Sequence, residues 1–508
     1  MTPTGAKGTV LLYMPHYVST EWAPSADYMS IPPLPFLALG NPLREAGYRV
    51  RILDAKWEPG YAERIGDWLD GVVCVGVSGM TGYAIKDGLA FSGLVKRHRP
   101  DLPVVWGGWH PTFAARQAVA DSRIDITVKG QGERSFVQVL DALRESRRLD
   151  GIAGIAWRDG DTVRETPEGP PADMNDLPPF AYDLVDVRRY IRQGPGDERH
   201  ANAIFSRGCP YQCDFCLDSR QKWFGLSLPR MESELRFWVS HGVNSLRFYD
   251  GNFFLGRPRL MAIADMILGG DLAGRFQWTA TGVASRLIQL DGEVLERLRR
   301  SGCHQVAIGA ETGSDELLRR ITNKTTVEQT VEAVRVLTRH GINQYLFFMV
   351  GYPDEPEGTL AETLALVARL KAINPDLELQ MNFCVPLPGS RMFEIAVAKG
   401  LFPEPRHFED WGELDVAHPN LPHLTPAYLE TVRSFLQYLL LAYPGRYHRD
   451  SALSRVLGHP LGRLLYEPWR RAALWRVERQ AFRFPLEARL YQRVQALRAR
   501  RLAASVHA

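Results

Sequence analysis

Cysteine is scarce in this chain: six residues in 508, three of them crowded into "SRGCPYQCDFCLDS" at 206–219. So few thiols cannot form the disulfide framework of a secreted scaffold. They point to a reducing compartment and to metal or redox use of the crowded three. Long apolar runs are missing too. The best, "VVCVGV" and "YLFFMV", fall far short of the roughly 18 residues a membrane span needs. The opening "MTPTGAKGTVLLYMP" lacks the basic–apolar–small layout of a signal peptide, so a cytoplasmic protein is expected. Lysine is absent from residue 446 onward, where fourteen arginines face four acidic residues. That surplus leaves the rest of the chain net negative against an overall +3, and marks the tail as a piece with its own surface chemistry.

What is present is alternation. Over residues 9–140, "TVLLYMP", "YRVRILDA", "VVCVGVSG", "PVVWGG" and "ITVKG" are short apolar runs separated by helix-period stretches. This predicts a doubly wound, Rossmann-like α/β domain over 1–160, whose ligands sit beyond the carboxyl ends of its strands. A proline-rich stretch, "ETPEGPPADMNDLPPFAYDL", falls in a linking or wrapping segment, 161–198. From 199 to 410 six further strand candidates alternate with helices, from "ANAIFS" to "LQMNFCV". Six units are short of the eight that close a full barrel, so a partial (βα)6 TIM-type barrel is expected. Residues 411–508 read as a helical, Arg-rich C-terminal segment.

The three clustered cysteines, Cys209, Cys213 and Cys216, follow the first barrel strand, at the end where barrel active sites lie. Thiolates ligate soft metals, and three on one loop can hold three corners of a 4Fe–4S cluster, leaving one iron open to a chelating substrate. Structural zinc is the alternative reading. Zinc favours four closed ligands, commonly in two pairs, and neither His200 nor Cys303 stands at finger-like spacing. Cys74, Cys303 and Cys384 fall in or beside apolar strands and read as buried small hydrophobes.

The CxxxCxxC pattern, with Phe215 just before its last cysteine, resembles the signature of the radical S-adenosylmethionine superfamily. The likeness extends through "GAETGSDELLRRITNKTT", "VGYPDEPEGT" and "VPLPGSRMFEIAVAKG", which look like its fourth-, fifth- and sixth-strand regions. The resemblance implies S-adenosylmethionine contacts from Phe215, Asp250, Asn252 and Glu311. Many members carry a Gly-Gly-Glu-like turn after the second strand; here Asp250, Gly251 and Asn252 stand there instead.

No GxGxxG follows the first strand, which argues against a dinucleotide site in the N-terminal domain. Its strand-end loops, "SGMTG" (78–82), "GGWHPT" (107–112) and "KGQGERS" (129–135), resemble those of the cobalamin-binding domain fused in front of some radical S-adenosylmethionine barrels. That likeness implies a cobalamin cradle including Ser78, Thr81, Gly107, Gly108 and Glu133. The Asp-x-His-x-x-Gly motif that supplies a lower cobalt ligand elsewhere is missing, so cobalamin with no lower His ligand is expected. His16 reads as a loop histidine, and His110 as one hydrogen-bonded within its own turn.

Together the resemblances imply an enzyme of class B methyltransferase type. A 5′-deoxyadenosyl radical removes hydrogen from an unactivated carbon, and methylcobalamin delivers a methyl group to it. A cyclase, oxidoreductase or ring-rearranging enzyme on the same architecture is the alternative, and a non-catalytic cobalamin module with structural zinc is a reading of another class. An RNA methylthiotransferase is rejected, because the N-terminal domain has only Cys74 where a second cysteine set is needed. The expected partners are a small-molecule or lipid-like substrate and an electron donor such as flavodoxin or ferredoxin. In the tail, Leu, Trp and Tyr mix with Arg at helical intervals. That pattern fits either peripheral contact with the inner membrane face or a helical cap over the barrel. Nucleic acid is not expected.

Overall fold

A computed structural model describes residues 6–17, 31–322, 324–414, 421–443 and 460–482, the side chains of 460–463 excepted. Of the tail stretches expected to be helical, residues 451–459 and 483–508 lie outside the described residues. The chain forms two compact units. One comprises Met1–Thr281, Arg300–Cys303 and Val385–Asn420; the other comprises Gly282–Arg299, His304–Cys384 and Leu421–Ala508.

The first unit opens with β1 (Thr9–Met14), β2 (Arg49–Asp54), β3 (Val72–Ser78), β4 (Val104–Gly107) and β5 (Ile126–Val128). These are the five expected strands, and they pair in parallel in the order β2-β1-β3-β4-β5. A hairpin of β6 (Ile155–Asp159) and β7 (Thr162–Glu165) extends the sheet antiparallel to β5. Every residue of β1 is buried, as a strand covered on both faces requires. Val10, Leu12 and Met14 join a core with Phe36 and Leu43 of the helix Leu34–Glu45 and Phe136 and Val139 of the helix Gly132–Arg144. Residues of the other parity face the helix Tyr83–His98, where the Tyr13 ring stacks on Phe91 at 3.7 Å and Trp106 Nε1 donates to Ser92 Oγ. Helices therefore cover both faces, as the doubly wound reading expects.

The proline-rich stretch is a tied-down belt. Asn41 Nδ2 donates to the Pro179 carbonyl at 2.8 Å, and Arg44 pairs with Asp183 at 2.8 Å. Further along, Ser227 N–H donates to Asn175 Oδ1 at 2.8 Å. Polar side chains replace secondary structure in satisfying the backbone here.

The same unit carries β8 (Arg192–Gln193), β9 (Arg199–Ala203), the short β10 (Ser206–Arg207) and β11 (Phe224–Gly225), then β12 (Ser245–Phe248) and β13 (Gln277–Gly282). β9, β12 and β13 pair in parallel, with β8 antiparallel on β9. In the second unit β14 (Cys303–Glu311), β15 (Asn343–Val350) and β16 (Glu378–Phe383) pair in parallel. The helix Val327–Arg339 starts at a capping box of Thr326 and Gln329, which satisfies two terminal N–H groups reciprocally. β9, β12 and β13 in one unit and β14, β15 and β16 in the other correspond to the six strands expected for the partial barrel. Helices Pro426–Ala442 and Pro460–Arg479 follow. Among the described residues, no helix is long and apolar enough to cross a membrane.

Phe91 fills the space between β1 and its helix and is essentially unexposed. Phe91→Ala is therefore expected to cost about 3–5 kcal/mol of unfolding free energy. Urea denaturation checks this, and a loss below about 1 kcal/mol would contradict the packing described.

Candidate functional site

The carboxyl ends of β3, β4 and β5 surround a cavity of about 680 Å³ in the first unit, within the usual range for a cofactor or ligand pocket. Ser78, Gly107, Gly108 and Glu133, four of the five residues expected to cradle cobalamin, line it. The loops are stitched to one another. Gly79 N–H donates to the Gly107 carbonyl at 2.7 Å. Thr112 Oγ1 donates to the Gly108 carbonyl at 2.7 Å and accepts from Gly130 N–H at 3.0 Å. Gly108 has φ +97°, and a Cβ there would stand 2.7 Å from the Gly79 carbonyl oxygen, so no side chain fits. Trp109, Phe113, Phe136 and Phe180 add flat apolar walls. Backbone rims close enough to exclude a Cβ, beside aromatic walls, suit a broad, rigid ligand such as a corrin.

Thr81 is placed differently. It does not line the cavity, and its hydroxyl lies 2.8 Å from His110 Nδ1. His110 thus bonds across to a neighbouring loop and not within its turn. It is buried against Phe408 and Trp411, and burial lowers its pKa to about 3, so the imidazole is neutral.

The cavity does not end with these loops. Ser206, Arg207, Gly208 and Asp218, at the base of and within the cysteine loop, line it as well. Arg207 Nη1 meets Glu133 Oε1 at 2.6 Å, the Glu133 side chain being 6% exposed. This pair joins the helix Gly132–Arg144 to the residue two before Cys209. Arg207 was not among the residues singled out from the sequence. The only available signal was its place in "SRGC", since its partner lies 74 positions away.

Two further devices close the base of the loop. β10 pairs antiparallel with β11, bracketing residues 208–223. Gly208, at φ +73°, lies so near the returning chain that a Cβ would come within 2.5 Å of the Gln221 and Lys222 carbonyl oxygens. Asp250, just after β12, directs Oδ1 at two backbone N–H groups, Phe205 at 2.7 Å and Ser206 at 2.8 Å. Its Oδ2 has no partner. Burial raises the Asp250 carboxyl to about 6, against the pull of those two hydrogen bonds toward the ionised form. Asn252 is fully buried with neither amide atom partnered, and such groups are costly unless a ligand satisfies them.

Within the loop, Cys216 N–H donates to the Cys213 carbonyl at 3.1 Å, and Ser219 Oγ donates to the Cys216 carbonyl at 2.6 Å. Phe215, between them, is half-buried. Burial pushes the Cys216 thiol up to about 12, with Asp218 adding to the shift, so a bound cation is the natural means of making its thiolate stable. Among the described residues, no three His, Cys, Asp or Glu side chains are gathered for one metal ion. A cluster offers each thiolate a different iron and asks for a wider spread.

In the second unit, Glu311 ends β14 at φ +61°, an uncommon conformation for a residue with a side chain. Its carboxylate is buried and 3.5 Å from Lys324 Nζ. Burial raises its pKa, with Lys324 pulling the other way.

Comparison with known proteins supports this arrangement. Residues 203–367 match the radical SAM superfamily model, and residues 28–140 match the B12 binding domain. An uncharacterized methyltransferase, PH0819, of Pyrococcus horikoshii is 31% identical over 64% of this chain and 70% of its own. An anaerobic magnesium-protoporphyrin IX monomethyl ester cyclase of Synechocystis is 27% identical over 61% of this chain; the match spans 63% of the cyclase, under two thirds of its length. The fold also matches the radical S-adenosylmethionine methyltransferase TsrM of Kitasatospora setae, solved with cobalamin and a 4Fe–4S cluster. The TM-score is 0.61 at 20% identity, covering 78% of this chain and 76% of that one.

Two tests follow from the geometry. A double-mutant cycle on Glu133→Gln and Arg207→Ala is expected to return a coupling of about 1.5–3 kcal/mol, typical of charge-assisted hydrogen bonds; additive effects would remove the pair from the account. Asp250 has a folded pKa above its unfolded value, so the folded state holds its proton more tightly. Its contribution to stability is present at low pH and lost as pH rises from about 4 to about 6. Urea midpoints over that window should fall more steeply in the natural chain than in Asp250→Asn, and parallel profiles would contradict the assignment.

Proposed function

Because the chain belongs to the cobalamin-dependent radical S-adenosylmethionine enzymes, we propose that it transfers a methyl group to an unactivated carbon of a small-molecule or lipid-like substrate. The observation that carries this reading is the shared cavity, lined both by the strand-end loops of the B12-binding domain and by the base of the cysteine loop. A module that only senses cobalamin has no need to share its cavity with the base of a three-cysteine loop.

When bound, the cluster and S-adenosylmethionine supply a carbon-centred radical, and cobalamin supplies an activated methyl group. Cys209, Cys213 and Cys216 would hold the cluster and leave one iron open. Asn252, with its unpartnered amide, and the free oxygen of Asp250 would meet polar groups of S-adenosylmethionine, with Phe215 as a further contact. Ser78, Gly107 and Gly108 would rim the corrin. The aromatic walls would exclude water from reactive intermediates. The Arg207–Glu133 pair would fix the cysteine loop against the corrin cradle, and a one-electron donor of the flavodoxin or ferredoxin class would reduce the cluster. A cyclase is the second reading, favoured by the match to the magnesium-protoporphyrin ester cyclase.

An assay that needs no known substrate tests this. Anoxically reconstituted protein is incubated with cobalamin, a strong reductant and methyl-deuterated S-adenosylmethionine. Release of 5′-deoxyadenosine together with deuterated methyl in the cobalamin pool is expected, and the triple Cys→Ala variant should lose the first at least 100-fold. Deoxyadenosine without labelled cobalamin would replace methyl transfer by the cyclase reading, and neither product would defeat both.

A further inference from the structure

The helix Pro460–Arg479 has two apolar sides where one is usual. The inner side is docked. Ala473 and Val477 are buried, Tyr466 OH donates to the Leu441 carbonyl, and Arg476 lies over the Tyr438 ring at 5.1 Å. Among the described residues, the outer side is left largely exposed. Leu464, Pro468, Ala472 and Trp475 follow at steps of four, four and three, with Leu465 and Trp469 beside them on the adjoining row. Leu464 is 71% exposed, Leu465 73%, Trp469 43% and Trp475 55%. An exposed apolar patch of this kind marks an interaction surface.

Charge selects the occupant. Arg479 continues the outer stripe, and Arg471, paired with Glu467 at 3.0 Å, stands at its edge, both arginines exposed. Over the last 63 residues, fourteen arginines face four acidic residues. Two copies meeting through this side would bring like charges together. An anionic bilayer offers the complement: headgroups for the guanidinium groups and an interfacial zone in which tryptophan and leucine are stable. We propose that this outer side seats the enzyme on an anionic lipid surface. The proposal is independent of which reaction the catalytic centre performs.

Flotation of the full-length holoenzyme with two vesicle types, phosphatidylcholine alone and phosphatidylcholine with about a third phosphatidylglycerol, decides the matter. Flotation is expected with the anionic vesicles, weakening as salt rises. Trp469→Ala/Trp475→Ala should cut the bound fraction at least fivefold, and Arg471→Glu/Arg479→Glu should do the same, while both variants keep the natural circular dichroism and cobalamin content. Several results would overturn the proposal: no flotation of the natural protein, equal flotation with neutral vesicles, or unchanged flotation of both variants. A lipid-free dimer that the Trp substitutions dissolve would assign the surface to a second copy instead.

Discussion

A loop that is to hold a metal cluster, as proposed for this one, must be held itself, and here a near-buried ion pair does much of that work. Arg207 and Glu133 meet at 2.6 Å across 74 positions of sequence. Without such ties, the 16 residues between β10 and β11 would have to give up roughly 1–2 kcal/mol of backbone entropy each with little to offset it. The ties sit at the base, where each immobilises the most chain. Asp250 clamps two consecutive N–H groups, β10 and β11 close a two-rung ladder, and Glu133 fixes the one arginine between them. The cysteines can then stay on an irregular segment, which a cluster needs, while the ends of that segment are fixed.

The same economy shapes the cavity proposed to cradle the corrin. Parallel strands end together, so their following loops converge, and small residues let the backbone itself form the rim. Gly108 is the clearest case, since its neighbour's carbonyl occupies the space of a side chain. The protein supplies shape and position, and the cofactors supply reactivity. For that reason the fold identifies the class of chemistry more firmly than the substrate.

Much of this was legible in the sequence. The strands of both sheets announce themselves as short apolar runs between helical periods: β1 and β3 are buried nearly throughout, and β13 and β15 on alternate residues. The cysteine triplet was legible because its spacing is local. The hairpin β6–β7 was less so, since "TVRE" is short and polar at an exposed sheet edge and "IAWRD" has only three buried apolar residues. The Arg207–Glu133 pair was not, because two charged residues far apart in the chain give no sign of facing each other until the fold brings them together. Thr81 shows the converse: its loop resembles a cobalamin-binding loop, yet local packing turns its hydroxyl to His110. The exposed side of the helix Pro460–Arg479 was visible only as composition, and burial alone separated its docked side from its open one.

The central claim is that the cysteine loop and the corrin cradle open on one cavity. Electron paramagnetic resonance of the holoenzyme carrying cob(II)alamin and a reduced cluster tests it most directly. The account expects the cobalt signal to be broadened by the neighbouring spin, with the broadening lost when the cluster is oxidised. An unbroadened cobalt signal in protein shown to carry both cofactors would contradict it.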